Sequence, residues 1–193
     1  MKFRAVALWI ALVACIGASA LLAGCVPLVV GGAVAGGAMM AADRRSAGVQ
    51  VDDESTELKI QNAASSNYKN VHLNATSYNG IVLLTGEAPD EATKDAIGNM
   101  ARRMEHVRSV QNELVIGPPT SIGDRSNDSL ITSKVKARFV EANQFYANAV
   151  KVVTERGVVY LMGIVTRQEA DAAARLAAGT GGVVRVVRLF EYA

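Results

Sequence analysis

Cysteine, histidine and proline are scarce in this 193-residue chain, which holds two, two and four of them respectively. That scarcity removes whole classes of chemistry. His72 falls in a strand pattern and His106 at the end of a helical one, and neither has a second His or a Cys at the spacing of a zinc site. No metal and no cofactor is therefore expected. Gly-x-Ser-x-Gly, a phosphate-cradling loop and the His-Glu-x-x-His helix of metalloproteases are absent as well. Glu87, Asp90, Glu91 and Asp95 gather where a helix begins, a place where negative charge complements the helix dipole, and they read as capping and solubilising groups. No catalytic residue is assigned, and an enzyme is not expected.

Apolar residues do run together at the start. Lys2 and Arg4 precede an apolar stretch from Ala5 to Leu22, the pattern of a secretory signal, so residues 1–24 are read as removed before folding. The sequence Leu21-Leu22-Ala23-Gly24-Cys25 resembles the lipobox of bacterial lipoproteins, in which small residues precede a Cys whose thiol takes a diacylglyceryl group. Removing 24 residues leaves 169, and losing Lys2 and Arg4 from the 20 basic residues leaves 18 against 18 acidic. Cys15 leaves with the signal and Cys25 carries lipid, so the mature chain has no pair of thiols to form a disulfide. Stability must come from packing.

Each acyl CH₂ adds about 0.8 kcal/mol of membrane affinity, and two or more chains hold stably. An Asp after the lipidated Cys retains enterobacterial lipoproteins at the inner membrane; Val26 stands there instead, which points to the periplasmic face of the outer membrane. Residues 26–42 are apolar but shorter than the roughly 20 residues of a membrane span, and they contain Pro27 and four glycines. Residues 25–50 are read as a lipidated tether.

The rest of the chain repeats itself. Gly80-Ile-Val-Leu-Leu-Thr-Gly86 returns 77 residues later as Gly157-Val-Val-Tyr-Leu-Met-Gly163. With one deletion, Val107, Val110, Asn112 and Leu114 fall on Val183, Val186, Arg188 and Phe190. Two copies are predicted, 51–116 and 127–193, with a Gly-, Pro- and Ser-rich linker at 117–126. Each opens on a helix; in the second, Ile131, Val135, Phe139 and Ala142 mark the buried face and Asn127, Asp128 and Ser129 offer N-cap oxygens. Two β-rich runs follow, joined by Asn79-Gly80 and by Arg156-Gly157. A second helix is capped by Asp90 in one copy and by the box Thr166-Arg-Gln-Glu169 in the other. Ala96, Ile97, Met100 and Met104 supply its buried stripe in the first copy, and Ala170, Ala173, Ala174 and Ala177 in the second. A final strand closes each, at 107–116 and 183–190. Gly86 and Gly163 are placed at strand ends where a Cβ would crowd the turn. The class is α+β, each copy an αββαβ unit with a small three-stranded mixed sheet packed on two helices.

The ordered set of Val-x-Val, Gly-x-Val-x-Leu-x-Gly, a capped helix and Val110-Gln-Asn-Glu-Leu114 resembles the BON domain, twice over. With the lipobox, Asp43-Arg-Arg-Ser46 and Ser126-Asn-Asp-Ser-Leu-Ile-Thr132, nearly all of the mature chain is similar to the dual-BON outer-membrane lipoproteins. The resemblance implies a non-enzymatic protein that supports envelope integrity and whose second BON domain binds anionic phospholipid through its first helix. Relatives can carry a Trp where this chain has Leu130.

Charge is divided unevenly between the copies. Residues 52–116 hold six basic and ten acidic side chains, whereas 127–193 hold nine and six. On the first helix of copy two, Leu130, Lys134 and Arg138 recur every four residues beside the buried stripe, with Lys136 on the polar side. These three are the expected phospholipid-binding residues, Leu130 dipping among headgroups and each cation contributing about 1 kcal/mol near an anionic surface. The other reading is an adaptor for envelope proteins, such as outer-membrane assembly machinery or regulators of cell-wall hydrolases, without lipid recognition of its own. Nucleic acid does not fit the compartment.

Changing Cys25→Ala should abolish both palmitate labelling and membrane anchoring; a variant that still labels normally would contradict the lipobox.

Overall fold

A computed structural model describes residues 43–193. Cys25, the signal region and most of the tether lie outside these residues. Helix α1 (Ala47–Asn67) begins inside the segment assigned to the tether, because Ser46 caps it by accepting from the Val49 N–H. Strands β1 (His72–Tyr78) and β2 (Ile81–Ala88) form an antiparallel hairpin, and α2 (Glu91–Arg102) crosses back to lay β3 (Ser109–Asn112) parallel to β2. The second copy repeats this with α3 (Ile122–Ala142), β5 (Lys151–Glu155), β6 (Val158–Val165), α4 (Arg167–Ala178) and β7 (Arg185–Tyr192). Val82 pairs with Val110 and Val159 with Val186, so the repeat read from sequence is also a repeat of register.

Three expectations change. The last strand of copy one is broken, and a two-residue β4 (Val115–Ile116) resumes pairing with β2. The first helix of copy two starts at Ser121, not at residues 127–129: Ser121 accepts from the Asp124 N–H while Asp124 answers the Ser121 N–H, a capping box inside the segment assigned to the linker. Gly86 and Gly163 lie within strands, where a Cβ would collide with the carbonyl oxygens of His72 and Ala149. Asp90, Thr166 and Glu169 cap as expected, and Met100 and Met104 pack against the first core.

Asp128 has another task. The buried positions of α1 are Asp53, Thr56, Ile60 and Ala64; those of α3 are Asp128, Ile131, Val135 and Phe139, with the same 3-4-4 spacing. The aspartate at the head of each stripe reaches the hairpin turn. Asp128 accepts from the N–H groups of Arg156 and Gly157, both at 2.8 Å. Asp53 accepts from Asn79 and Gly80 at 2.7 and 2.9 Å, from the Ser77 hydroxyl at 2.6 Å and from Arg45 at 2.7 Å. Both turns hold two successive residues at positive φ, 51° and 75° in one and 52° and 74° in the other, the twist a two-residue hairpin needs. That geometry aims two adjacent N–H groups inward, and the carboxylate satisfies both.

Each sheet has helices on one face only. Val82, Leu84, Ile60, Ile97 and Ala101 build the first helix–sheet core; Val159, Leu161, Ile131, Val135, Phe139 and the α4 alanines build the second. Alternate strand residues point the other way. Tyr78 and Leu83 of copy one meet Tyr160 and Met162 of copy two in a third core, flanked by Ile81, Val153, Val158, Ile164, Val187 and Leu189. The copies therefore pack sheet to sheet, giving four layers, helix–sheet–sheet–helix, within one compact unit.

Asp128→Ala should lower unfolding free energy by about 2–4 kcal/mol in urea titration, since two buried donors lose their acceptor; an unmoved midpoint would show that the turn does not depend on it. Burial works to raise the Asp53 pKa, but its bonds from Ser77, Gly80, Arg45 and Asn79 outweigh this and hold it below the ordinary 3.8. A depressed folded-state pKa gives stability that is present above 3.8 and lost as pH falls through the folded value. Asp53→Asn should accordingly flatten the acid limb of a stability–pH curve.

Candidate membrane-contact face and the contacts around it

Successive residues of a helix turn by 100°, so a step of four overshoots one turn by 40°. Leu130, Lys134 and Arg138 therefore drift around α3. Leu130 and Lys134 stand on the outer face, with Leu130 59% exposed. Arg138, 80° round from Leu130, is half-buried: its guanidinium lies 3.4 Å from the Thr180 hydroxyl and packs over Gly179, at the C-terminal end of α4. The structure thus brings two of the three proposed contact residues together and turns the third toward a neighbouring helix end, where a cation is favoured by the dipole. Ile122 and Val140 are also exposed on α3, a feature that helical spacing alone did not single out.

Comparison with the equivalent helix sharpens the picture. From Ser129 to Val140, α3 carries Lys134, Lys136 and Arg138 and no acid. The matching stretch of α1, Glu54 to Ser65, has Glu54 and Glu57 against Lys59 alone. Lys59 occupies the position of Lys134, and it pairs with Glu105 at 3.4 Å.

Much of the remaining charge asymmetry is used between the copies. Lys151 donates to Glu57 at 2.7 Å, Arg156 meets Glu87 at 3.3 Å and Arg185 lies 3.8 Å from Glu113, each pairing a cation of copy two with an acid of copy one. Arg108 and Glu191 pair in the opposite sense at 2.8 Å. Residues just before α1 add a clasp. Arg44 donates to Glu169 and to the Ile164 carbonyl, while Arg45 binds Asp43 and Asp53 and stacks 3.9 Å from the centre of the Tyr78 ring.

Glu87 is not the helix-start group that the sequence suggested. It lies in β2, fully buried on the face between the sheets, paired in register with His72. Its Oε2 lies 3.0 Å from His72 Nδ1 and accepts from the Thr120 N–H at 3.1 Å, while its Oε1 takes Arg156. Burial opposes its charge, yet these bonds prevail and its pKa is lowered. Glu155 enters the same space from β5 of the second copy, 8% exposed, its pKa raised by burial and by the nearby charges of Glu87 and Asp128. A residue pair 83 positions apart (72 and 155) leaves no trace in local spacing.

No helix among the described residues is long and apolar enough to cross a membrane. The BON-domain family model matches residues 52–118 and again 127–193. The chain is 40% identical to the outer membrane lipoprotein DolP of Haemophilus influenzae, covering 92% of this chain and 93% of that one. It is 37% identical to a 21 kDa hemolysin of Actinobacillus pleuropneumoniae (78% and 79% covered) and 28% identical to the osmotically-inducible protein Y of Escherichia coli K12 (70% of each). Among solved structures, CdsD, a structural protein of the type III secretion system of Chlamydia trachomatis, is 16% identical with a TM-score of 0.29, covering 73% of this chain and 63% of that one, a likeness too slight to inform the fold. Two matched domains and near-complete coverage by a lipoprotein of the outer membrane place this chain in the BON-domain family, as a dual-BON outer-membrane lipoprotein.

Proposed function

We propose that the protein is a non-catalytic, lipid-anchored component of the periplasmic face of the outer membrane that meets anionic phospholipid through α3 of its second BON domain and thereby supports envelope integrity. The observation that carries this reading is the contrast between two copies of one helix. On α3 an exposed Leu130 is flanked by Lys134, 40° to one side, and Lys136, 120° to the other, with no acid between Ser129 and Val140, where α1 is acidic. A structural role does not require that contrast, because the buried stripes of both helices occupy the same positions.

The energies favour an assisted contact over a strong one. Three cations give about 3 kcal/mol at an anionic surface, and a partly inserted Leu adds at most roughly 1.5–3 kcal/mol. Alone, that amounts to weak binding. An acyl anchor at Cys25 would hold the domain at high effective concentration beside the bilayer, where weak binding suffices to orient it. Arg138 already touches Thr180, so Lys134 and Lys136 are assigned the greater share, with Arg138 at the rim.

Vesicle flotation of the acyl-free Cys25→Ala protein tests this. Wild-type sequence should float with phosphatidylglycerol or cardiolipin vesicles, less so as salt rises. Lys134→Glu with Lys136→Glu should remove roughly 4 kcal/mol, two favourable contacts becoming two repulsive ones. Leu130→Asp should weaken flotation as well, and circular dichroism should show all variants folded. Undiminished flotation of the double reversal would exclude α3 and favour the adaptor reading.

A further inference from the structure

We propose that His72, Glu87 and Glu155 form a site for one divalent transition-metal ion of the zinc class, set between the two BON domains and ligated from both. One donor atom from each residue lies within 4.8 Å of the others, and His72 Nδ1 is 3.0 Å from Glu87 Oε2. A tetrahedral zinc with bonds of about 2.0–2.2 Å needs donors roughly 3.3–3.5 Å apart. His72 and Glu87, at 3.0 Å, need to part by only about 0.3–0.5 Å, and Glu155 meets the spacing after a side-chain adjustment of at most about 1.5 Å. An imidazole with two carboxylates, and water in the fourth position, is a donor set suited to this class of ion.

The surroundings ask for a cation independently of the cluster itself. Glu155 is 8% exposed, and its carboxylate forms no ion pair among the described residues. The buried Thr85 hydroxyl beside it finds no partner other than this carboxylate, and a neutral hydroxyl leaves its charge unbalanced. Arg156 does not answer this need, for it is engaged with Glu87 Oε1. An isolated buried carboxylate is costly unless paired, protonated or bound to metal. A doubly charged ion balances Glu87 and Glu155 with a neutral His72, and the Thr120 N–H bond to Glu87 Oε2 holds that ligand from behind. Access is available: His72 and Glu155 line a solvent-open cavity of about 500 Å³ together with Gln61, Asn74 and Thr154. Since β1 and β2 supply two ligands and β5 the third, the ion would clamp the sheet-to-sheet interface.

The test uses the full lipidated protein in detergent, purified without a histidine tag and stripped with chelator. Equilibrium dialysis against zinc chloride should load one ion per chain, and cobalt chloride should give a visible d–d band that zinc bleaches. His72→Gln and Glu155→Gln should each weaken affinity at least tenfold, as loss of even an outer partner commonly does; His106→Gln should leave it unchanged. Bound zinc should also raise the melting temperature of wild type and not of Glu155→Gln. Absence of saturable binding overturns the proposal, as does binding indifferent to His72→Gln and Glu155→Gln. If either variant fails to fold, ¹⁵N spectra of the wild-type His72 ring decide: a zinc-induced shift at Nδ1 supports the site, and an unshifted ring overturns it.

Discussion

A small sheet has two faces, and in each BON copy the helices cover only one of them. The uncovered faces carry Tyr78 and Leu83 on one side and Tyr160 and Met162 on the other. Exposed to water, they would leave each unit with only its own small core, and a domain of this size buries only about 60% of its unfolded surface. Packing the two faces together solves both problems at once. The interface thus acts as a third core, and the arrangement of the helices on the outer surfaces follows from it.

Within each copy a second constraint holds the parts in place. A two-residue hairpin turn presents adjacent N–H groups toward the first helix, and Asp53 or Asp128 receives them. The helix is fixed to the turn by polar bonds and to the sheet by apolar contact, so its roll angle is set. That angle determines which α3 residues face outward. Leu130 and Lys134 do, while Arg138 is carried round to Thr180.

Duplication then left room for division of labour. Copy one keeps acids that receive the cations of copy two across the interface, as in Lys151 with Glu57 and Arg156 with Glu87. Among the cations not used in this way, Lys134, Lys136 and Arg138 lie on the far side of copy two, on α3. The same electrostatic asymmetry accordingly serves assembly on the inner faces and presents a basic helix on the outer one. The clasp of Arg44 and Arg45 ties the residues leading from the anchor to both copies, through Glu169 on one and Asp53 on the other.

Much of this was legible in the amino-acid order. The tandem repeat, the Asn79-Gly80 and Arg156-Gly157 turns, the caps at Asp90 and Thr166 and the alanine stripe of α4 are legible because each element carries its own local signal. The two Gly-bounded strands even revealed their common register. What the order could not express was contact between distant elements. Asp128 looks like a helix cap until the hairpin folds over it, and Glu87 looks like a helix-start acid until a second sheet covers it. The linker read as loop because its Gly and Pro content hid the Ser121–Asp124 box. The closeness of His72, Glu87 and Glu155 exists only because the uncovered faces of two sheets meet, a consequence of burying apolar surface that no spacing along one chain encodes.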